Sequence, residues 1–204
     1  MSHEYREPLL KYVETEMPDG ILLITCGLPA TYKTETSEEI ARIKGYPIVR
    51  TDLVRRDLLK NEDIFDEAVA SNMNKRLLVY DETFRLAEET LGKGKGVIID
   101  ATFITQSLRR RAAGIAAGQG RTLVILQTQS PRQVSIARIS RRTREQYESN
   151  ALTEQAYVNN EKKFERVDLD DLKSLYPRLH VKHILVDTAK DSPDGWYIIG
   201  LEER

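Results

Sequence analysis

Short apolar runs alternate with long charged stretches along this chain, and the spacing predicts elements. Five runs, Gly20–Cys26, Pro47–Arg50, Gly96–Asp100, Arg121–Thr128 and Val181–Val186, predict strands. The segments ILLIT, GVIID and TLVIL are continuously apolar rather than alternating, as strands covered on both faces should be. Between the runs, Lys33–Lys44, Glu67–Leu91, Gln106–Ala117 and Arg132–Arg144 lack proline and space their apolar residues helically. Strand–helix alternation of this kind predicts the α/β class, with a doubly wound parallel sheet of about five strands and helices on both faces. The first sixteen residues, through Glu16, are amphipathic and end at the turn signal Met17-Pro18-Asp19-Gly20, which predicts a helix packed on the sheet edge. No repeat or linker composition divides the chain, so one domain is expected over residues 1–204.

Composition then narrows the functional classes. With 204 residues, 40% hydrophobic and 31% charged, the chain reads as folded and soluble, with enough length for a sizeable core. No apolar run approaches the ~18 residues of a membrane span, and the first twenty residues carry charge throughout, so neither a membrane-spanning nor a secreted protein is expected. A single cysteine, Cys26, excludes an intrachain disulfide and a cysteine-rich zinc site, and points to the cytoplasm. It reads as a small buried residue, with no histidine near it in sequence to make it a nucleophile. Lys plus Arg (31) balance Asp plus Glu (32), so any basic site must be local rather than a property of the whole molecule. His180 and His183 stand three apart on a predicted strand, where odd spacings point to opposite faces, and do not converge on a metal.

The candidate chemistry begins where the first strand runs into Gly27-Leu28-Pro29-Ala30-Thr31-Tyr32-Lys33-Thr34 and a helix follows at once. Strand, loop, Lys-Thr and helix form the phosphate-loop context, in which backbone N–H groups and the helix N-terminus surround phosphates. In that context Lys33 reaches the β/γ oxygens of ATP and Thr34 binds Mg²⁺. The motif's second glycine is Tyr32 here. An aromatic ring at a crowded helix start has few rotamers, so the tyrosine is expected to obstruct the cradle, the alternative being that it turns outward.

Two aspartates follow at the ends of the next predicted strands. Asp100 closes GVIID, where it is placed to hold Mg²⁺ or its water; its alternative, capping the helix near Gln106, starts several residues too early. Asp52 reads equally as the N-cap of a helix Leu53–Lys60 and as a general base toward a substrate hydroxyl. Arg55, one turn on, shares its face and is placed to steady an anionic substrate. Arg132, Arg138, Arg141, Arg142 and Arg144 read as a phosphate-gripping lid or as a solvated helix face, with Arg138 and Arg142 on one side. Arg109, Arg110 and Arg111 point in three directions and read as surface. Trp196 and Tyr197 are expected to pack the last element on the core, base stacking being the alternative.

In these residues the chain resembles the AAA-type small P-loop kinases, relatives of bacteriophage polynucleotide 5′-kinase, zeta-toxin kinases and seryl-tRNA(Sec) kinase. The likeness rests on GLPATYKT, on the D-x-x-R of Asp52 and Arg55, and on Tyr80, Ala87, Leu91 and Gly92 leading to VIIDATF. It extends to Arg138 with Arg142 and to SNALTEQAY at Ser149–Tyr157. The resemblance implies a P-loop kinase fold with a helical arginine-containing lid over about residues 131–165. It implies ATP and Mg²⁺ as cofactors, Asp52 as base, Arg55 as substrate clamp, and Arg138 or Arg142 as the arginine on the nucleotide phosphates. The expected activity is transfer of the γ-phosphoryl of ATP to a hydroxyl acceptor, a nucleic-acid 5′-hydroxyl or a small molecule among the candidates. Its rivals are a nucleotide sensor or scaffold silenced through Tyr32, and an RNA-binding module using the arginine stretch, for which near-zero net charge is unfavourable.

Overall fold

The computed structural model describes residues 6–60, 72–141 and 153–204. A seven-stranded mixed sheet runs through the middle in the order β1-β7-β6-β5-β2-β4-β3. Its strands are β1 (Glu7–Pro8), β2 (Leu22–Cys26), β3 (Ile48–Arg50), β4 (Val97–Asp100), β5 (Leu123–Gln129), β6 (Val181–Asp187) and β7 (Tyr197–Glu203). The expected number was five, and those five, β6-β5-β2-β4-β3, are parallel as the sequence predicts. The two additional strands, β1 at the edge and β7 between it and β6, pair antiparallel with their neighbours. β1 is two residues long, and β7, YIIGLEE, is largely half-buried or exposed, so neither produces a continuous apolar run.

The helices among the described residues are α1 (Leu9–Thr15), α2 (Lys33–Lys44), α3 (Thr51–Leu58), α4 (Met73–Gly92), α5 (Gln106–Gly118), α6 (Arg132–Ser140), α7 (Glu154–Lys163) and α8 (Leu169–Leu175). Period-two alternation in β2 distributes its side chains between two cores. Leu22, Ile24 and Cys26 join Phe84, Leu91, Ala113 and Leu172 of α4, α5 and α8. Leu23 joins Tyr12, Val13 and Ile40 of α1 and α2, with Trp196. The sheet is therefore covered on both faces, and the predicted helix through Glu16 becomes the short α1 after strand β1. α2 ends where Gly45 adopts φ 67° and its N–H returns to Ala41 O, a left-handed cap that favours glycine.

Several boundaries differ from expectation. The helix expected over Glu67–Leu91 is α4, capped by Asn72 Oδ1, which accepts from the N–H groups of Asn74 and Lys75; residues 67–71 lie outside the described set. The helix expected over Arg132–Arg144 ends at Ser140, and Arg142 and Arg144 lie outside the described residues. Ser149–Leu152 of the Ser149–Tyr157 element are likewise outside them; Thr153 caps α7, and Tyr157 packs on Ala30 and Ile139.

Arg109 corrects the surface reading of the arginine triplet. It is wholly buried, and its guanidinium donates to Phe103 O, Gln106 Oε1, Glu165 O and Arg166 O. A buried guanidinium is tolerated only when its donors are satisfied, and here they pin residues 165 and 166 against the start of α5. Arg110 and Arg111 are exposed as expected and pair with Asp171 and Asp81. No helix among the described residues is long and apolar enough to cross a membrane.

His183 gives the fold a specific acid sensitivity. Its Nε2 lies 3.0 Å from Gln127 Oε1, and burial brings its pKa down to about 4. A histidine depressed from its ordinary value near 6.5 contributes stability present above that value and lost as pH falls towards about 4. The wild-type melting temperature should drop over that window by more than that of His183→Gln. Parallel melting curves for both proteins check this.

Candidate active site

The chain leaves β2 towards β3 and leaves β5 towards β6, so neighbouring strands β2 and β5 have connections running in opposite directions. Such a switch point opens a crevice at the carboxyl ends of the strands. The loop Gly27–Tyr32 occupies it. Gly27 has φ 138°, and a Cβ there would lie 2.5 Å from Thr128 O, so the first glycine of the motif is required both by conformation and by contact. Ala30 (φ 60°) and Tyr32 (φ 59°) are left-handed without being glycine. Each costs about 1–2 kcal/mol relative to an ordinary conformation, and these are the two positions where the resembled kinases carry glycine. The strain is held by outward ties on the loop's carbonyls: Ala30 O accepts from Arg138 Nη1 and Thr31 O from Thr188 Oγ1. With those two carbonyls engaged, the left-handed residues Ala30 and Tyr32 fit the kind of backbone nest that receives an anion. Lys33, at the first position of α2, reaches back over the loop to donate to Leu28 O at 2.6 Å.

Thr34 and Asp100, the two residues expected at the metal, meet. Thr34 Oγ1 donates to Asp100 Oδ2 at 2.7 Å. Two hard oxygens beside the Gly27–Tyr32 loop fit Mg²⁺, which takes few protein ligands and fills its shell with water and phosphate oxygens. Among the described residues no cluster of three or more His, Cys, Asp or Glu side chains is arranged around a common point. The capping alternative for Asp100 does not hold, since α5 is preceded by Thr105 as its N-cap.

Thr25 and Arg50 were not singled out by the sequence, and both act on Asp100. Pairing of β2 with β4 ends at Ile24 with Ile99, whereas β2 stays paired with β5 as far as Cys26. Where β2 and β4 part, the buried hydroxyl of Thr25 bridges them: it accepts from Ala101 N–H at 2.9 Å and donates to Ala101 O at 2.7 Å, with Asp100 Oδ1 3.3 Å away. Arg50 Nε lies 3.7 Å from Asp100 Oδ2. A threonine inside an apolar strand carries no recognisable pattern. Thr25→Val should cost about 1–3 kcal/mol by leaving Ala101 N–H without its acceptor, and Thr25→Ser should recover most of it in urea unfolding.

Asp52 lies in the first turn of α3, whose N-cap is Arg50, so the capping alternative is not realised. Its carboxylate is 3.6 Å from Arg55 Nη1, with 31% of the side chain exposed. Burial against surrounding protein pushes its pKa above the usual aspartate value, Arg55 opposing this and Asp100 reinforcing it. The charges of Arg50 and Lys33 also act on it, so the loop lysine and both aspartates share one electrostatic environment. A carboxylate raised in this way is a stronger base.

Tyr32 does not point into the loop. Its ring lies 3.9 Å beneath the Arg138 guanidinium and 5.8 Å from the Trp196 ring, and its hydroxyl donates to Asp191 Oδ1 at 2.8 Å. The obstruction expected from sequence is replaced by outward packing. Arg138 is only 8% exposed, and its donors are occupied by Ala30 O, Thr188 O, Ala189 O and Asp191 Oδ1. The geometry makes it a tie between loop, α6 and the segment after β6. Cys26 is buried, which raises its thiol pKa, in line with a packing residue. Trp196 is buried in the α1/α2 core, and Tyr197 opens β7. Across β2 from Asp100, a cavity of about 200 Å³ lies between Gly27, Leu28, Thr31, the end of β5, Tyr157 and Phe164.

A family model described as an AAA domain matches residues 22–167. The uncharacterized proteins Rv2004c of Mycobacterium tuberculosis and Mb2027c of Mycobacterium bovis are each 31% identical over 102 residues, 47% of this chain. The match spans 20% of the length of those curated relatives. Among solved structures, a sugar kinase from Janibacter sp. aligns with a TM-score of 0.63 at 14% identity, covering 85% of this chain and 88% of that one. A gluconokinase from Sinorhizobium meliloti aligns at 0.53 and 20% identity, covering 84% of each chain. A chain of the PezAT toxin–antitoxin system of Streptococcus pneumoniae aligns at 0.52 and 13% identity, covering 84% of this chain and 70% of that one. At these identities the likeness is one of fold, and the fold is that of the P-loop kinases.

Proposed function

The chain belongs to the AAA domain family, and from that premise we propose that it is an ATP-dependent phosphotransferase moving the γ-phosphoryl to a hydroxyl acceptor. The observation that carries the reading is the meeting of Thr34 with Asp100 at the mouth of the phosphate loop, in the same electrostatic environment as Lys33 and Asp52. In this reading the backbone N–H groups from Ala30 to Thr34 bind the phosphates, Gly27 giving its own to Thr102 O, and Lys33 exchanges Leu28 O for a phosphate oxygen. Thr34 and Asp100 hold Mg²⁺, which supplies charge neutralisation to the phosphates when bound. Asp52 takes the proton of the acceptor hydroxyl, and Arg55 fixes the acceptor while keeping the Asp52 carboxylate oriented. Residues 131–165 serve as the lid. Arg138 or Arg142 is the arginine toward the nucleotide phosphates; Arg142 lies outside the described residues, and Arg138 would have to give up contacts with Ala30 O, Thr188 O, Ala189 O or Asp191.

The sensor reading depended on a tyrosine blocking the loop, and the ring is turned towards Trp196 instead. Two chemical classes of acceptor are the first to test. One is a small polyhydroxyl compound, of the kind the sugar kinase and gluconokinase neighbours are named for; the other is a nucleic-acid 5′-hydroxyl. Incubation with γ-labelled ATP and Mg²⁺ against sugars, sugar acids and 5′-hydroxyl oligonucleotides should label one class. Label in none of them, with ATP left intact throughout, would overturn the proposal.

A further inference from the structure

Tyr32 stands where a glycine would serve the loop's conformation without strain, and its side chain is engaged at three points, with Arg138, Asp191 and Trp196. We propose that Tyr32 is a positioning residue for the nucleoside half of the bound nucleotide, acting through Arg138 and Asp191; the inference rests on the nucleotide reading above. The direction of the nucleotide follows from the topology. With phosphates on Gly27–Thr34, the side of the crevice over β4 and β3 is taken by Asp100, Asp52 and Arg55, which leaves the side over β5 and β6 for the nucleoside. The segment after β6, Thr188–Asp191, forms that side.

One seam connects the segment to the loop. Arg138 donates to Ala30 O in the loop and to Thr188 O, Ala189 O and Asp191 Oδ1 beyond β6. Tyr32 fixes this seam from below: its ring covers one face of the guanidinium, and its hydroxyl holds the same Asp191 oxygen that Arg138 Nη2 binds. The residue before the loop lysine thus sets the height and tilt of the surface that faces a nucleoside, while contributing no side-chain atom to the phosphate cradle. This assigns a purpose to a strained left-handed tyrosine, which has no steric advantage over glycine at that position.

The test separates the two ends of the ligand by titrating Mg·ATP and Mg·tripolyphosphate into wild type, Tyr32→Gly and Tyr32→Phe. Tyr32→Gly should weaken ATP about tenfold, equivalent to about 1.4 kcal/mol, and leave tripolyphosphate unchanged. Tyr32→Phe, which keeps the ring and loses only the hydroxyl, should fall between. If Tyr32→Gly does not fold, as melting of the unliganded protein would show, Tyr32→Phe and Asp191→Asn carry the test, with a smaller loss confined to ATP. Equal loss for both ligands, or ATP affinity that is unchanged or tighter, overturns the inference while leaving the nucleotide reading intact. Wild type binding neither ligand would overturn both.

Discussion

Lys33→Ala is expected to abolish stabilisation by nucleotide. A ligand that binds only the native state at about a hundred times its Kd adds about 2.7 kcal/mol, which for a chain of this size raises the melting temperature by about 5–11 °C. Lys33 is the charged group that closes over the loop, its ammonium 2.6 Å from Leu28 O. Its loss should remove nearly all of the shift, while the unliganded melting temperature changes little because Lys33 is only half-buried. Thermal melts with and without Mg·ATP check both values; an undiminished shift in the variant would show that nucleotide binds elsewhere.

Asp52→Asn should lower turnover on the true acceptor by about 10²- to 10⁴-fold, the usual contribution of a positioned general base, with ATP binding nearly unchanged. The pH profile adds a second readout. The base must be ionised, and burial raises its pKa above the ordinary aspartate value, so the acid limb of kcat/KM should lie above pH 3.8, the ordinary value, and should vanish in the variant. Because Asp52 sits in the first turn of α3 rather than at its cap, the substitution should cost little stability. A large fall in melting temperature with the rate preserved would make it a structural group.

The sequence made the centre of the sheet and the loop legible because both depend on local rules. Continuous runs such as GVIID mark strands covered on two faces, and a Lys-Thr after a glycine-led loop marks the start of α2. The meeting of Thr34 with Asp100 followed from the rule that the carboxyl ends of parallel strands converge. The misses are residues whose state is set by distant contacts. Arg109 looks like its neighbours Arg110 and Arg111, yet it alone faces the carbonyls of residues 165 and 166, more than fifty positions away. Tyr32 could be judged only from its own rotamers, whereas its orientation is decided by Arg138, Asp191 and Trp196. Arg138, assigned by resemblance to phosphates, is drawn into the fold by carbonyls of the segment after β6. Strand β7 lacked a two-sided apolar pattern because only Ile198 of it is buried, its other positions being half-buried or exposed.

In the proposed function the loop from Gly27 to Thr34, with Asp100, holds the phosphates of a nucleotide together with Mg²⁺. Calorimetric titration of ATP into the wild-type protein, with and without Mg²⁺, tests it most directly. One saturable site per chain is expected, with an affinity that depends on Mg²⁺ and falls in Asp100→Asn. No heat at millimolar ATP, or binding indifferent to both the metal and Asp100, would contradict it.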